Sequence, residues 1–182
     1  MVSCRRSFLR GAGIALLTGV SPALVKPAFA NFAEGKSRSL AFDNLHTGEK
    51  LKVDYWAEGE YIPGALSEID RVLRDFRTGE VHQIEPKLLD LLALLRARLE
   101  TIEPLSVISG YRSPKTNAAL HEASSGVASN SLHMQGMAID IRVPGRALAA
   151  VRTAALDMRV GGVGYYSKSN FVHVDVGRVR RW

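Results

Sequence analysis

Ser131-Leu132-His133-Met134-Gln135-Gly136-Met137-Ala138-Ile139-Asp140 and, further along, Phe171-Val172-His173-Val174-Asp175 are the most informative stretches of this chain. Residues 137–143 and 171–176 alternate with the period of a strand. On the first strand Ala138, Asp140 and Arg142 share a face; on the second Phe171, His173 and Asp175 do. His133 ends a small polar loop that begins at Gly126, and Gly136 lets the backbone turn tightly before the strand. Two neighbouring strands and a loop can therefore bring His133, Asp140 and His173 to one point. Two imidazoles and a carboxylate suit Zn²⁺, which in catalytic sites leaves its fourth tetrahedral position for water. Spacing alone leaves a bland alternative standing. A lone strand histidine is more often a hydrogen-bonded structural residue, and Asp140 between Ile139 and Ile141 can face solvent on a half-buried strand.

Outward from these stretches the chain reads as mixed helices and hairpins. Residues 39–43 and 51–55 are predicted strands, joined by a turn that holds His46, a surface histidine on this reading. Pro63 opens a helical pattern through Leu66, Ile69, Val72, Leu73 and Phe76 that is expected to end near Thr78-Gly79. Pro86 opens a second helix, rich in leucine from Leu88 to Leu99 and expected to be the best buried. Residues 105–109 read as a buried strand. Ser113-Pro114 is an N-cap followed by proline at the first helical position, predicting a helix over 114–123. A further helix is expected over 146–158, then strands over 163–166 and 171–176. Without regular βαβ alternation the class is α+β, with a small antiparallel sheet packed with helices and carrying the zinc site.

The chain has 182 residues, 46% of them hydrophobic and 23% charged, with one cysteine, Cys4. This excludes global disorder, a polytopic membrane protein, a disulfide within the chain and a cysteine-based zinc cluster. The formal charge of +6 suggests a polyanion partner, but its location removes that suggestion. Arg5, Arg6, Arg10 and Lys26 are four of the 24 basic residues and residues 1–30 hold no acid, so residues 31–182 carry 20 basic against 18 acidic residues. No nucleic acid is implied. Residues 1–30 have the parts of a twin-arginine-type export signal: Arg5-Arg6-Ser7-Phe8-Leu9-Arg10, a weak apolar run over 11–20, and Ala28-Phe29-Ala30 as the cleavage site. The run is too short for a membrane span, so none is expected in the mature form, and Cys4 precedes it, which argues against lipidation. The expected organisation is a signal over 1–30 and one domain over 31–182, exported to the periplasm.

The block at 131–140 satisfies Ser-x-His-x-x-Gly-x-Ala-x-Asp at every specified position. It resembles the zinc D-alanyl-D-alanine carboxypeptidase and dipeptidase family, which shares its fold with hedgehog signalling domains and lysostaphin-type peptidases. Ser109-Gly110-Tyr111-Arg112-Ser113 resembles an upstream block of that family, and His173 falls where its third metal ligand lies. Residues 43–49, residues 161–166 and Trp182 extend the similarity over essentially the whole chain, towards exported murein endopeptidases. The resemblance implies a monomeric zinc peptidase, one Zn²⁺ per chain, that hydrolyses peptidoglycan peptide cross-links with a zinc-activated water. The links implied contain meso-diaminopimelate and include 3–3 links. His133, Asp140 and His173 match the metal ligands, Arg112 an arginine beside the reacting carbonyl, and Ser131 a serine near a substrate carboxylate.

One departure stands out. Many relatives carry Glu or Asp three residues before the last histidine ligand, as general base; here that residue is Asn170. Lysostaphin-like members place a histidine two residues before it; here that is Phe171. Asp175 is the nearest candidate base, or else a partner that orients a ligand imidazole, and His121 is a weaker candidate. Asn170 keeps a second reading open, a zinc-bound, non-catalytic peptidoglycan-binding domain. Glu58, Glu60 and Glu68 read as surface charges, Tyr165 and Tyr166 as a pair of which one faces inward, and Arg178, Arg180, Arg181 and Trp182 as a solvated tail.

Overall fold

The computed structural model describes Met1, residues 36–124 and residues 126–182. The predicted export signal therefore lies outside the described residues, Met1 excepted. Strands β1 (Ser37–Asn44) and β2 (Lys50–Ala57) form the expected hairpin, and β3 (Glu60–Tyr61) adds to the edge of β2. Asn44 builds the turn: its side-chain oxygen accepts from the N–H groups of His46 (3.0 Å) and Thr47 (3.2 Å). Helices α1 (Pro63–Val72) and α2 (Pro86–Arg98) lead to β4 (Leu105–Ser109). Helix α3 (Pro114–Ala123), a short 3-10 turn (Leu132–Gln135) and β5 (Ala138–Arg142) follow. Helix α4 (Leu148–Met158) and strands β6 (Gly162–Tyr166), β7 (Phe171–Asp175) and β8 (Arg180–Arg181) complete the chain. No helix among the described residues is long and apolar enough to cross a membrane.

The sheet differs from the expectation. It is a single eight-stranded mixed sheet in the order β3-β2-β1-β4-β5-β7-β6-β8, not a small antiparallel one. β4 runs parallel to β1 because the chain travels through two helices before returning beside its first hairpin, the crossover that a parallel pairing requires. β8 runs parallel to the outer edge of β6. Two arginines carry no apolar alternation, so that strand leaves no trace in the sequence pattern.

Ile139 and Ile141 of β5 and Val172 and Val174 of β7 are buried with Leu88, Leu89, Leu92 and Leu95 of α2 and Val151 of α4. Each large aliphatic side chain so buried contributes roughly 1.5–3 kcal/mol. α2 packs on β1 and α4, and α4 on β6 and β7. The alternate residues of β5 and β7 therefore project from the opposite face of the sheet, away from this core.

Two helix boundaries differ from the periodicity. α1 stops at Val72 rather than near Thr78, because residues 73–79 close a turn in which Gly79 N–H donates to the Asp75 carbonyl (2.7 Å). α4 starts at Leu148 rather than Arg146, because Arg146 donates to the carbonyls of Leu99 and Glu100 (both 2.7 Å) past the end of α2. The Ser113 cap matches its prediction, accepting from Thr116 N–H at 3.3 Å.

Candidate active site

β5 and β7 pair antiparallel with Asp140 directly opposite His173. Both side chains emerge on the face away from α2 and α4. His133 arrives from the 3-10 turn, where the Ser131 hydroxyl accepts from the His133 N–H at 3.4 Å. Gly136 ends that turn in the left-handed region (φ 66°), and a side chain there would strike the Gln83 carbonyl. The loop carrying Arg112 is held from both sides. Tyr111 N–H donates to Leu73 O (2.8 Å) and Arg112 N–H to His133 O (3.1 Å). The Asp75 carboxylate accepts from Ser113 N–H and Arg77 N–H, each at 2.9 Å.

Burial pushes the Asp75 carboxyl upward, but the hydrogen bonds from Thr116, Ser113 and Arg77 outweigh it and hold the pKa at about 2, below the ordinary 3.8. A depressed carboxylate pKa contributes stability above the unfolded pKa that disappears as pH falls through the folded one. About 2 kcal/mol of stability is therefore expected to drain away between roughly pH 4 and pH 2. Denaturant titrations across that window check this; an Asp75→Asn chain with the same pH slope as wild type would remove Asp75 as its source.

Three acceptor atoms meet at the centre of the site. His133 Nε2 lies 3.1 Å from His173 Nδ1, and Asp140 Oδ1 lies 2.9 Å from His173 Nδ1 and 3.3 Å from His133 Nε2. The outer nitrogen of each ring is already committed. His133 Nδ1 donates to the Gly110 carbonyl (2.7 Å) and His173 Nε2 to Asp175 Oδ2 (3.0 Å). Those bonds set the tautomers and turn both inner nitrogens into lone-pair donors towards Asp140. A single proton could satisfy only part of such a cluster, whereas a divalent cation is served by all three atoms. Ligands about 2.0–2.2 Å from a tetrahedral zinc would stand roughly 3.3–3.6 Å apart, close to the spacing found. The titration of the bare side chains agrees. Burial lowers the His133 pKa, keeping it neutral as a ligand must be. Burial opposes charge on His173, but Asp140 and Asp175 outweigh it and raise its pKa. Asp140 is held well below the carboxylate range, the two histidines overcoming its burial. The centre calls for positive charge, and its residues fit a zinc ion.

The cluster forms the floor of an open cavity of about 510 Å³, whose walls include Arg112, Ser131, Tyr166 and Trp182. Arg112 is buried, and among the described residues its guanidinium has long polar contacts, 3.4 Å to Asn117 Oδ1 and 3.7 Å to Asp140 Oδ2. Its Nε has no hydrogen-bond partner among the described residues. Burial lowers its pKa while Asp140 opposes that shift, and the guanidinium stays charged. It is an underused donor on the cavity wall.

Asp175 is not placed to act as a base. It is fully buried behind His173 and does not line the cavity. Its Oδ1 accepts from Gly162 N–H (3.0 Å), Gly177 N–H (2.9 Å) and Arg180 Nη1 (3.1 Å), and its Oδ2 from His173 Nε2 and from Arg180 Nη2 (2.7 Å). No lone pair is left for a water in the cavity. His121 is also elsewhere, its Nδ1 on the Val127 carbonyl. Asn170 occupies a left-handed turn position (φ 54°) and does not line the cavity. Among the described lining residues Asp140 is the only carboxylate.

A family profile described as "Peptidoglycan L,D-endopeptidase MepK" matches residues 32–182. The chain belongs to this family of M15 peptidases. M15 peptidases are zinc metallopeptidases, and this one is similar to the peptidoglycan L,D-endopeptidase MepK of Escherichia coli strain K12, 43% identical over 178 residues, 98% of this chain and 96% of the relative. The MepK of Shigella flexneri shows the same identity and coverage. A probable peptidoglycan L,D-endopeptidase MepK of Haemophilus influenzae is 40% identical over 179 residues, 98% of this chain and 95% of the relative.

Two features of this M15 site escaped sequence reasoning. Arg180, read as part of a solvated tail, forks onto Asp175. Trp182 lies beside the metal-type cluster, its ring centroid 5.1 Å from that of His173. The tyrosine pair divides as strand alternation predicts: Tyr165 packs on the core, and Tyr166 lines the cavity, stacked on Phe171 at 4.5 Å. A signal was present in Gly161-Gly162-Val163-Gly164. On β6, Gly162 and Gly164 take the site face while Val163 and Tyr165 take the core face. A side chain at Gly162 would collide with Asp175 and Arg180, and one at Gly164 would come within 2.7 Å of the Trp182 ring.

Proposed function

We propose that this peptidase hydrolyses peptide cross-links of peptidoglycan, with one zinc ion per chain held by His133, Asp140 and His173. The convergence of three acceptor atoms on the floor of an open cavity carries the reading. The names of its relatives, peptidoglycan L,D-endopeptidases, supply the substrate class. Bound there, zinc supplies Lewis-acid polarisation of the scissile carbonyl and acidification of a water. The protein groups do the rest. His133 and His173 present fixed tautomers, and Asp175 with Arg180 orients His173 from behind. Arg112 donates to the carbonyl oxygen as negative charge develops on it, and Ser131 holds the His133 turn at the edge of the substrate site. The meso-diaminopimelate 3–3 link is the substrate proposed. Purified 3–3 and 4–3 cross-linked dimers, incubated in parallel, test that choice: faster cleavage of 3–3 links is expected, and equal rates would refute the preference.

Replacing Arg112 by alanine is expected to lower kcat by about 10²–10³-fold with zinc content unchanged. Arg112→Lys should recover little, since a point charge cannot reproduce the fork. An unaltered kcat in Arg112→Ala would take the arginine out of the reaction.

The lack of a second carboxylate in the described lining is the observation that supports a second reading, a zinc-bound, non-catalytic wall-binding domain. Sacculi that bind the zinc-loaded chain without losing cross-links would establish it. We also infer export to the periplasm by the twin-arginine machinery, from the sequence of residues 1–30, and a monomeric domain over 31–182. Changing Arg5 and Arg6 together to lysine is expected to leave uncleaved precursor in the cytoplasm; undiminished export on fractionation would remove that route.

A further inference from the structure

We propose that Trp182 is a specificity-determining residue, its indole forming the wall against which the methylene stem of the substrate's diaminopimelate residue packs. This rests on the cross-link reading above. Trp182 is 48% exposed, yet it is anchored through both its backbone and its indole. Its N–H donates to Val163 O (3.2 Å) and its carbonyl accepts from Tyr165 N–H (3.0 Å). The indole Nε1–H donates to Tyr166 Oη (2.8 Å), and the Arg180 guanidinium carbon lies 4.9 Å from the ring centre. Beneath the ring is Gly164, paired across the sheet with His173. An added Cβ at Gly164 would come within 2.7–2.9 Å of three indole atoms. The platform thus dispenses with a side chain so that a large aromatic can stand beside His173, its ring tilted 49° to the imidazole.

A rigid, half-exposed indole on the wall of a cavity is suited to gaining area on binding at little entropic cost. The Tyr166–Phe171 stack continues the same aromatic surface. Arg112 and the loop that ends at Ser131 give the cavity cationic and polar walls as well. A cavity so divided suits a peptide that shows hydrocarbon on one side and carbonyl or carboxylate oxygens on the other. In diaminopimelate, three consecutive methylenes link two polar amino-acid centres, so its stem fits the aromatic wall.

Kinetics on the zinc-loaded full chain and a binding titration together test this. Trp182→Ala is expected to raise KM for diaminopimelate cross-linked dimers by about tenfold or more, with kcat within about threefold and zinc content unchanged. Trp182→Phe should recover much of the loss. The chain has two tryptophans, so a Trp56→Phe background makes Trp182 the only indole emitter. Titrating that protein with an uncross-linked diaminopimelate stem peptide should shift its emission saturably. The same peptide with alanine for diaminopimelate should bind at least about tenfold more weakly. Equal affinity for the two peptides, or an unchanged KM in Trp182→Ala, would overturn the inference while leaving cross-link hydrolysis intact. A wild-type chain that neither cleaves the dimers nor binds either peptide would overturn both.

Discussion

Replacing His133 by alanine is expected to reduce kcat/KM on cross-linked dimers by at least about 10³-fold and to leave the chain without stoichiometric zinc. His133 supplies one of three acceptor atoms that converge within 3.3 Å of one another. Without it His173 and Asp140 remain, too few to complete a tetrahedral site. Lewis-acid stabilisation of transition-state charge is worth several kcal/mol, and about 4 kcal/mol corresponds to three orders of magnitude in rate. The substitution also frees the Gly110 carbonyl from its 2.7 Å bond, loosening the loop that carries Arg112. Metal analysis by atomic emission, paired with turnover of purified dimers, checks both parts. An alanine variant that keeps one zinc per chain would show that His133 is not a ligand, whatever its activity.

Asp175→Ala should produce the next largest loss, felt first in stability. The carboxylate is fully buried and serves His173, Arg180 and the N–H groups of Gly162 and Gly177. Deleting it strands those donors together, at a cost of about 3 kcal/mol or more. For a domain of this size that is a fall in Tm of roughly 6–12 °C. The imidazole of His173 also loses the partner that fixes its tautomer, so zinc affinity is expected to fall about 10–100-fold. Asp175→Asn separates the two effects. Its amide oxygen can still accept from the glycine N–H groups, but it lacks the charge that pairs with Arg180 and orients the His173 N–H. It should hold more of the stability than the affinity. Melting curves with and without chelator, alongside competition for zinc with a chromophoric chelator, measure both. Unchanged zinc affinity in both variants would reduce Asp175 to a structural residue.

The contrast between Asp140 and Asp175 shows how far sequence reasoning reaches. Strand alternation places both carboxylates on the site face, and the antiparallel register sets Asp140 across from His173. Nothing in that alternation tells that Asp175 lies behind the histidine, because its position depends on Arg180 and on the space left by Gly162. Locally encoded features were legible: the Ser113 cap, Pro63 and Pro86 at helix starts, and the Asn44 turn each act within a few residues. Features that depend on distant pairing were not. The Pro63 helix keeps its apolar period beyond Val72, yet Asp75 turns out of it to receive the N–H of Ser113. Arg180 and Trp182 read as a solvated tail until β8 settles on the edge of β6, where Gly164 makes room for the indole. The parallel β1–β4 pairing likewise depends on the path taken by α1 and α2, which strand periodicity does not encode.

The most direct test is digestion of purified sacculi by the zinc-loaded chain, by the chelated chain and by the chelated chain with zinc restored, with the muropeptides separated and identified by mass. Cross-linked dimers are expected to fall to monomers with the first and third and to persist with the second. Dimers that persist under all three conditions, while the zinc-loaded chain still sediments with the sacculi, would contradict hydrolysis and leave a wall-binding domain in its place.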